Sequence, residues 1–472
     1  MKMLKECAFN WIEDNSFKLI EISDNIWEFA ELGLKEFKSS KLLADELEKN
    51  GFKVTRGISD MPTAFIAAWG SGNPVIGITG EYDALPNLSQ KPIPVKETLI
   101  ENAPGHACGH NIHGTSGMAG AIGAKIAMEK NGINGTIKFF GSPAEEAYDG
   151  KAFMVRDGFF NGLDAVLGHH PGSVNTAGLA SSLAMNSVRF VFHGIASHAS
   201  GAPERGRSAL DAVEIMNVGV NYMREHIIDK ARVHYIIEKG GDAPNVVPSY
   251  ASSWYYIRAP YRDQVDSIYG WALKIKKGAE LITDTTSETI FDSAIYNKIP
   301  NKTLSELVVA NMREIGSPTY TKEELNFAHE ILKTIPREQK LNSLRNSKRP
   351  GWEKLIDVEL DQSIVNAWNE GEVGSGSSDM GDVSWQTPTQ EFSTATYALG
   401  TPGHSWQIVA QSKSGIGHKS LIFAAKVISG TVIDLLLHSE LIKKAKEELK
   451  ERLAGQVYKP VIPYDHKPPN YN

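Results

Sequence analysis

From Asp14 to Asn50 the apolar residues recur at helical spacing: Phe17, Ile20, Ile22, Ile26, Phe29 and Ala30, then Leu42, Leu43 and Leu47. Asn50-Gly51 follows as a stop signal, so two amphipathic helices are expected here. Short β-branched and aromatic runs then alternate with helical stretches. Strands are expected at 64–69, 75–79, 136–140 and 165–167, with a Gly/Ala-rich helix at 114–129. Strand–helix alternation of this kind predicts an α/β domain with a largely parallel or mixed sheet.

Near Ala184 the texture changes. The segment 187–192 reads as a strand, 208–224 as a long amphipathic helix, 233–237 and 253–258 as strands, 262–281 as a helix, and 285–290 leaves room for a closing strand. That β-α-β-β-α order with a final strand is the pattern of a ferredoxin-like α+β unit. Helical spacing returns at 304–312 and 322–335, a polar stretch runs from Arg337 to Pro350, a Gly/Ser-rich loop covers 371–378, and 415–450 is again helical. The second unit is therefore expected as an insert: residues 1–184 and 300–472 forming one domain, 185–299 the other.

Composition narrows the partners. Among 472 residues, 49 Lys and Arg face 56 Asp and Glu, a formal charge of −7, which lacks the basic excess of a nucleic-acid binder. No apolar run is read as approaching the roughly 18 residues needed to span a bilayer, and the N-terminus acquires Glu6 at once, so no membrane association and a cytoplasmic location are expected. Two cysteines, Cys7 and Cys108, are too few for a disulfide framework.

The candidate chemistry gathers in four places. Gly105-His106-Ala107-Cys108-Gly109-His110-Asn111-Ile112-His113-Gly114 puts a thiol and imidazoles directly before the Gly/Ala-rich helix. Pro143-Ala144-Glu145-Glu146 follows a strand, His169-His170 follows another, and His404 lies in the turn Gly400-Thr401-Pro402-Gly403-His404. Any one of these alone has a bland reading as core histidine or solvated charge. Four of them ending strands or turns in one α/β pattern form a soft and borderline donor set suited to divalent metal.

These segments, together with Ile26-Trp27-Glu28-Phe29-Ala30-Glu31-Leu32-Gly33, Glu81-Tyr82-Asp83-Ala84-Leu85-Pro86, Ser197-His198-Ala199, Gly206-Arg207-Ser208-Ala209-Leu210-Asp211, Ala243-Pro244-Asn245-Val246-Val247-Pro248 and the stretch 377–385, extend over nearly the whole chain. In that order they resemble the metallopeptidase superfamily of carboxypeptidase G, aminoacylases, hippurate hydrolase and auxin-conjugate amidohydrolases, and within it the group formed by the B subunits of aminobenzoyl-glutamate hydrolases. The resemblance implies a mixed-sheet dinuclear metallohydrolase domain with an inserted ferredoxin-like dimerisation, or lid, domain.

It also implies two divalent ions per subunit, zinc or manganese, with Cys108 bridging and His110, Glu146, His170 and His404 as the other ligands. His169 is the fallback for His170. His106 and His113 are expected to be structural or to stand behind the ligands, and Asp83 to orient the Cys108 loop or form a turn. Glu145 is implied as general base and His198 as an oxyanion donor reaching the partner's site in a homodimer. Asn245 and Arg258 are expected to bind the substrate's carbonyl and carboxylate, and Trp385 and Trp406 to stack on an acyl group or belong to the core. A positioned base supplies about 10²–10⁴-fold, roughly 3–5 kcal/mol, so the metals must carry most of the barrier lowering. The implied reaction is hydrolysis of an acyl–amino acid amide, p-aminobenzoyl-glutamate foremost. A dipeptidase or deacylase, and a silent scaffold subunit, are the alternatives, and a heteromeric partner subunit is a further possibility of this group.

Overall fold

The computed structural model describes residues 2–469. Its larger sheet has six strands, β1 Lys53–Arg56, β2 Phe65–Ser71, β3 Val75–Glu81, β4 Gly135–Ser142, β5 Ala165–His169 and β10 Thr389–Phe392, in the order β1-β2-β4-β3-β5-β10. β3 runs parallel to β4 and β5, β10 runs parallel to β5, and β1 and β2 are antiparallel to their neighbours, which makes the sheet mixed. The shared direction of β3, β4 and β5 places Glu81, Ser142 and His169 at one edge, where the chemistry-bearing turns begin.

Two helices cover this sheet and each other. The helix His110–Asn131 is rich in Gly and Ala because it lies almost against the backbone of β3: a Cβ on Gly114 would stand 2.5 Å from the Glu81 carbonyl oxygen. On its other face a Cβ on Gly120 would meet Ile428 of the helix Gly415–Leu437 at 2.5 Å. Ile122, Met118 and Ile428 are fully buried at these contacts, and each such side chain contributes about 1.5–3 kcal/mol of transfer free energy.

The helix Gly415–Leu437 corrects one expectation, since it is long and apolar enough to cross a membrane by composition. It is a core helix of this fold, with 83% of its apolar window buried. The alternation of its small polar residues, such as Ser429 and Thr431, hides the run from a simple count.

The second sheet is wholly antiparallel, built from β6 Ala184–His193, β7 Arg232–Lys239, β8 Tyr250–Ala259 and β9 Thr286–Ile295 in the order β7-β8-β6-β9. The helices Ala209–Met223 and Arg262–Thr283 pack on it, giving the β-α-β-β-α-β order along the chain. The segment then returns to the larger sheet's layer through the helix Lys302–Ile315. One stretch read as polar loop is partly helical, Arg337–Asn346. Its only buried side chains are Leu344 and the stem of Lys340, too weak a stripe to register as a period.

Candidate metal centre

The turns that leave β3, β4 and β5, the start of the helix His110–Asn131 and the turn at His404 converge on one cluster. Three non-glycine residues hold left-handed backbone there, Ala144 at φ +57°, Asp149 at φ +56° and His404 at φ +50°, an unusual conformation that persists where surrounding contacts fix it. Glu36, fully buried, fixes the first: its carboxylate accepts from the Ala144 backbone N–H at 2.8 Å and from the Thr63 hydroxyl at 3.0 Å. Gly109, at φ +79°, carries the chain into the helix where a Cβ would overlap the Tyr397 hydroxyl at 2.0 Å.

Hydrogen bonds sort the histidines by which ring nitrogen carries the proton. His110 Nδ1 lies 2.8 Å from Asp83 Oδ1, and His170 Nδ1 lies 3.1 Å from the Pro171 carbonyl. Both partners only accept, so each ring holds a proton on Nδ1, and when neutral presents an Nε2 lone pair. His110 Nε2 is buried 3.2 Å from Glu81 Oε2, and His170 Nε2 stands 3.4 Å from Cys108 Sγ. His113 is the opposite case: its Nδ1 accepts the Glu81 backbone N–H at 3.0 Å, so its Nε2 is a donor, 3.5 Å from Glu81 Oε2. His106 donates from Nε2 to the Ile26 carbonyl, and His169 is held between Ser116 and Thr394. His170, not its neighbour, points at the thiol.

Four groups could hold an ion, with ligand atoms mutually within 4.8 Å: two share Cys108, namely Cys108, His110 and His170, and Cys108, Glu146 and His404, and two share Glu81, namely Glu81, His113 and Glu391, and Glu81, His110 and Glu145. His404 Nε2 is 3.5 Å from Glu146 Oε2, and Glu146 Oε1 is a buried acceptor with no partner. Nitrogen and oxygen ligands about 2.0–2.1 Å from a tetrahedral ion stand roughly 3.3 Å apart, and a thiolate partner slightly farther, so these separations suit coordination. Buried acceptors that face one another without protein donors suit a cation, and the donor set fits divalent metal.

The electrostatics agree. Burial disfavours protonation of His110, yet Cys108, Asp83 and Glu81 outweigh it and hold its pKa well above 6.5, the mark of a pocket that draws positive charge. Burial pushes the Cys108 thiol up to about 12, so without a bound cation it is no reactive thiolate. Burial, with Glu81, Asp379 and Glu146 nearby, raises the Glu145 carboxyl well above the usual range.

Asp83 serves two segments at once. Besides orienting His110, its Oδ2 accepts from the Glu146 backbone N–H at 2.9 Å, which ties two ligand-bearing stretches together. A buried ion triad went unread in the sequence. Lys151 Nζ lies 2.6 Å from both Glu81 Oε1 and Asp379 Oδ1, and all three side chains are at most 1% exposed. The Gly150–Arg156 helix bearing Lys151 is only seven residues long, so no period marked it.

A cavity of about 740 Å³ opens beside the cluster, lined by Cys108, Glu145, Glu146, His170 and His404 and, from β8, by Arg258. The Arg258 guanidinium lies 5.2 Å from the centre of the Tyr256 ring. His198 and Asn245 stay outside this cavity: both are exposed, His198 accepting from the Gly201 backbone N–H at 3.0 Å and Asn245 offering its carbonyl to Ala199. Trp385 and Trp406 do not line it either. Trp385 is buried against Tyr296 with its indole N–H donated to the Asn297 carbonyl at 2.9 Å, and Trp406 packs beside the Ala328 and Ile331 cluster. Of the two readings open for these indoles, the core one holds: the buried indole of Trp385 went where a carbonyl could accept its proton.

Comparison with known proteins agrees with this geometry. Peptidase family M20/M25/M40 matches residues 77–434. The chain is 41% identical to the B subunit of p-aminobenzoyl-glutamate hydrolase from Escherichia coli (strain K12), covering 97% of each chain. It is 27% identical to the human Xaa-Arg dipeptidase over 97% of this chain and 94% of that one. Among solved structures, a dinuclear metal binding peptidase of the M20 family from Bacillus subtilis superposes with a TM-score of 0.56 at 16% identity, over 90% of this chain and 99% of that one. An aminobenzoyl-glutamate utilization protein from Klebsiella pneumoniae gives 0.57 at 16% identity, over 91% and 97%. With its fold, its cysteine-centred ligand groups and this breadth of likeness, the chain belongs to peptidase family M20/M25/M40.

Proposed function

We propose that the protein is a metal-dependent amidohydrolase that splits the amide between an aroyl group and an amino acid, with p-aminobenzoyl-glutamate, named in its 41%-identical relative, as the substrate. The observation that carries this reading is Cys108 Sγ at the overlap of two three-ligand groups, with Glu145 beside them and a cavity in front. Cys108 would be the ligand shared by two ions, zinc or manganese, with His110 and His170 holding one and Glu146 and His404 the other. When bound, the ions supply Lewis acidity towards water and the scissile carbonyl.

Glu145 does the proton work. Its carboxylate takes a proton from the attacking water and delivers it to the leaving amide nitrogen, so that the amine departs neutral. Arg258 lines the same cavity and holds a substrate carboxylate through its planar fork. The division of labour follows the two sheets: residues 1–184 and 300–472 form the metal-binding domain, and 185–299 an inserted ferredoxin-like dimerisation domain. In the homodimer His198 donates to the developing oxyanion in the partner's site, and Asn245 assists there; their exposure outside their own cavity supports this placement. The protein acts in the cytoplasm, and a second, different subunit joins it, in keeping with the relative's being named as one of several subunits.

Retention of all five ligands and of Glu145 argues against a silent scaffold. A panel of aroyl-glutamates, hippurates and dipeptides, run on metal-loaded protein, tests the reading. Hydrolysis of aroyl-glutamates is the expected result, preference for dipeptides ending in arginine would move the protein to the dipeptidase side of the family, and no hydrolysis at full metal occupancy would overturn it.

A further inference from the structure

Two kinds of group line the cavity. Beside the metal-binding groups and Glu145 it holds donors from three separate segments: Arg258 on β8, Lys298 on the return from β9, and Ser377 in the Gly/Ser-rich loop. Arg258 Nε and Ser377 Oγ are buried with no hydrogen-bond partner, and Arg258 forms no ion pair among the described residues. Buried donors without acceptors are costly, and two in one lining call for an anionic ligand.

Lys298 adds a second cation. Its backbone is pinned on both sides, the N–H donating to Ser182 Oγ at 2.9 Å and the carbonyl accepting from Ser181 Oγ at 2.7 Å, so the side chain leaves from a fixed point. Its Nζ meets Glu391 Oε2 at 3.1 Å while the side chain stays 24% exposed. An ammonium has three protons, and this pair engages one of them, leaving donors for the cavity. The other carboxylates on the lining are committed elsewhere: Glu145 and Glu146 to the metal cluster, Asp149 to the Ser293 hydroxyl.

Arg258 without a carboxylate partner, the Lys298 donors left over from its pair with Glu391, and the Ser377 hydroxyl together exceed what a single α-carboxylate needs. We propose that Lys298, with Ser377, is a specificity determinant that reads a second carboxylate, so that the site selects acyl derivatives of dicarboxylic amino acids over those of neutral or basic ones. Arg258 and Lys298 each take one carboxylate of the substrate, and a cationic side chain in their place would meet like charge. The proposal rests on the amidohydrolase reading and sharpens it by naming the amino-acid half.

The test compares p-aminobenzoyl-glutamate with p-aminobenzoyl-glutamine, which keeps the shape and removes one charge. Metal-loaded wild type is expected to prefer the glutamate compound by roughly tenfold or more in kcat/KM, because a site built for a charged partner leaves its donors unpaired with a neutral one. K298M should erase that preference by slowing only the glutamate compound, and S377A should narrow it. Inhibition of the wild type by glutarate against butyrate needs no variant, and glutarate should bind about tenfold tighter or more. Equal rates on the two amides, equal inhibition by the two acids, or a K298M variant that slows both amides alike would overturn the assignment. If hippurate is cleaved while glutamate is not preferred, this inference falls and the amidohydrolase reading stands; if no acyl-amino acid is cleaved, that reading falls and this one with it.

Discussion

The two sheets solve different problems. In the six-stranded layer the chemistry is sunk into the protein: the helix His110–Asn131 is buried along most of its length, and His110, Asp83, Glu81 and Lys151 are at most 1% exposed. In the four-stranded layer two of the candidate residues, His198 and Asn245, stand in solvent, while Arg258 on β8 turns to the cavity lining. The edge strand β7 there exposes Ile236 and Ile237, at 58% and 46%, and the helices present Val218, Tyr222, Leu281 and Ile282 outward. An open edge strand with apolar side chains is a surface that proteins ordinarily cover. The first layer buries its candidate chemistry within the chain, whereas the second leaves an apolar edge and two candidate residues exposed.

That contrast can be broken most sharply at Cys108. C108A should remove the shared ligand of both groups, so turnover should fall to background and metal analysis should find less than one ion per chain. E145A tests the same layer differently: because Glu145 is the proposed uncoordinated base, its loss should lower kcat by about 10²–10⁴-fold with both ions retained. Loss of metal in E145A would mean the base is itself a ligand.

The second layer should fail in another way. H198A should lower kcat by about 10²–10³-fold, the usual cost of one oxyanion donor, with metal content and fold unchanged. I237K on β7 should yield a monomer by sedimentation with the same loss, and combining the two should cost no more than either alone. A fully active monomer would make the insert self-sufficient and erase the comparison.

The smallest effect on activity concerns Glu36, the carboxyl beneath the Ala144 turn. Burial, aided by Asp83, pushes its pKa up to about 8 from 4.5. A raised carboxyl pKa means that the folded state holds a proton the unfolded chain has released. This stabilisation is whole below about 4.5 and is lost as pH rises through about 8, at up to roughly 1.4 kcal/mol per pH unit. E36Q should flatten that slope in thermal melts between pH 5 and 8 while keeping turnover, as its amide oxygen can still accept from Ala144; an unchanged slope would assign it to other groups.

The candidate ligands that the structure brings together were legible because each sits in a short local motif at the end of a strand or turn, and local motifs survive without tertiary knowledge. The order of elements in the four-stranded layer was legible for the same reason, each strand and helix having its own period. What escaped depends on contacts between distant segments. Lys151 and Asp379 are 228 residues apart and have no pattern in common until the fold brings them to 2.6 Å. β10 has only four residues, Thr389-Gln390-Glu391-Phe392, most of them polar, and becomes a strand because β5 offers it a parallel partner. Trp385 and Trp406 misled because nearness in sequence to site motifs says nothing about which way a side chain turns.

The central claim is that one sulfur joins two ions. Titrating the metal-free protein with cobalt(II) while recording thiolate-to-metal charge-transfer absorption tests it directly. Two equivalents should bind, each addition should change the thiolate band, and C108A should show no such band. A single equivalent, or a second one that leaves the thiolate band untouched, would contradict a bridging Cys108.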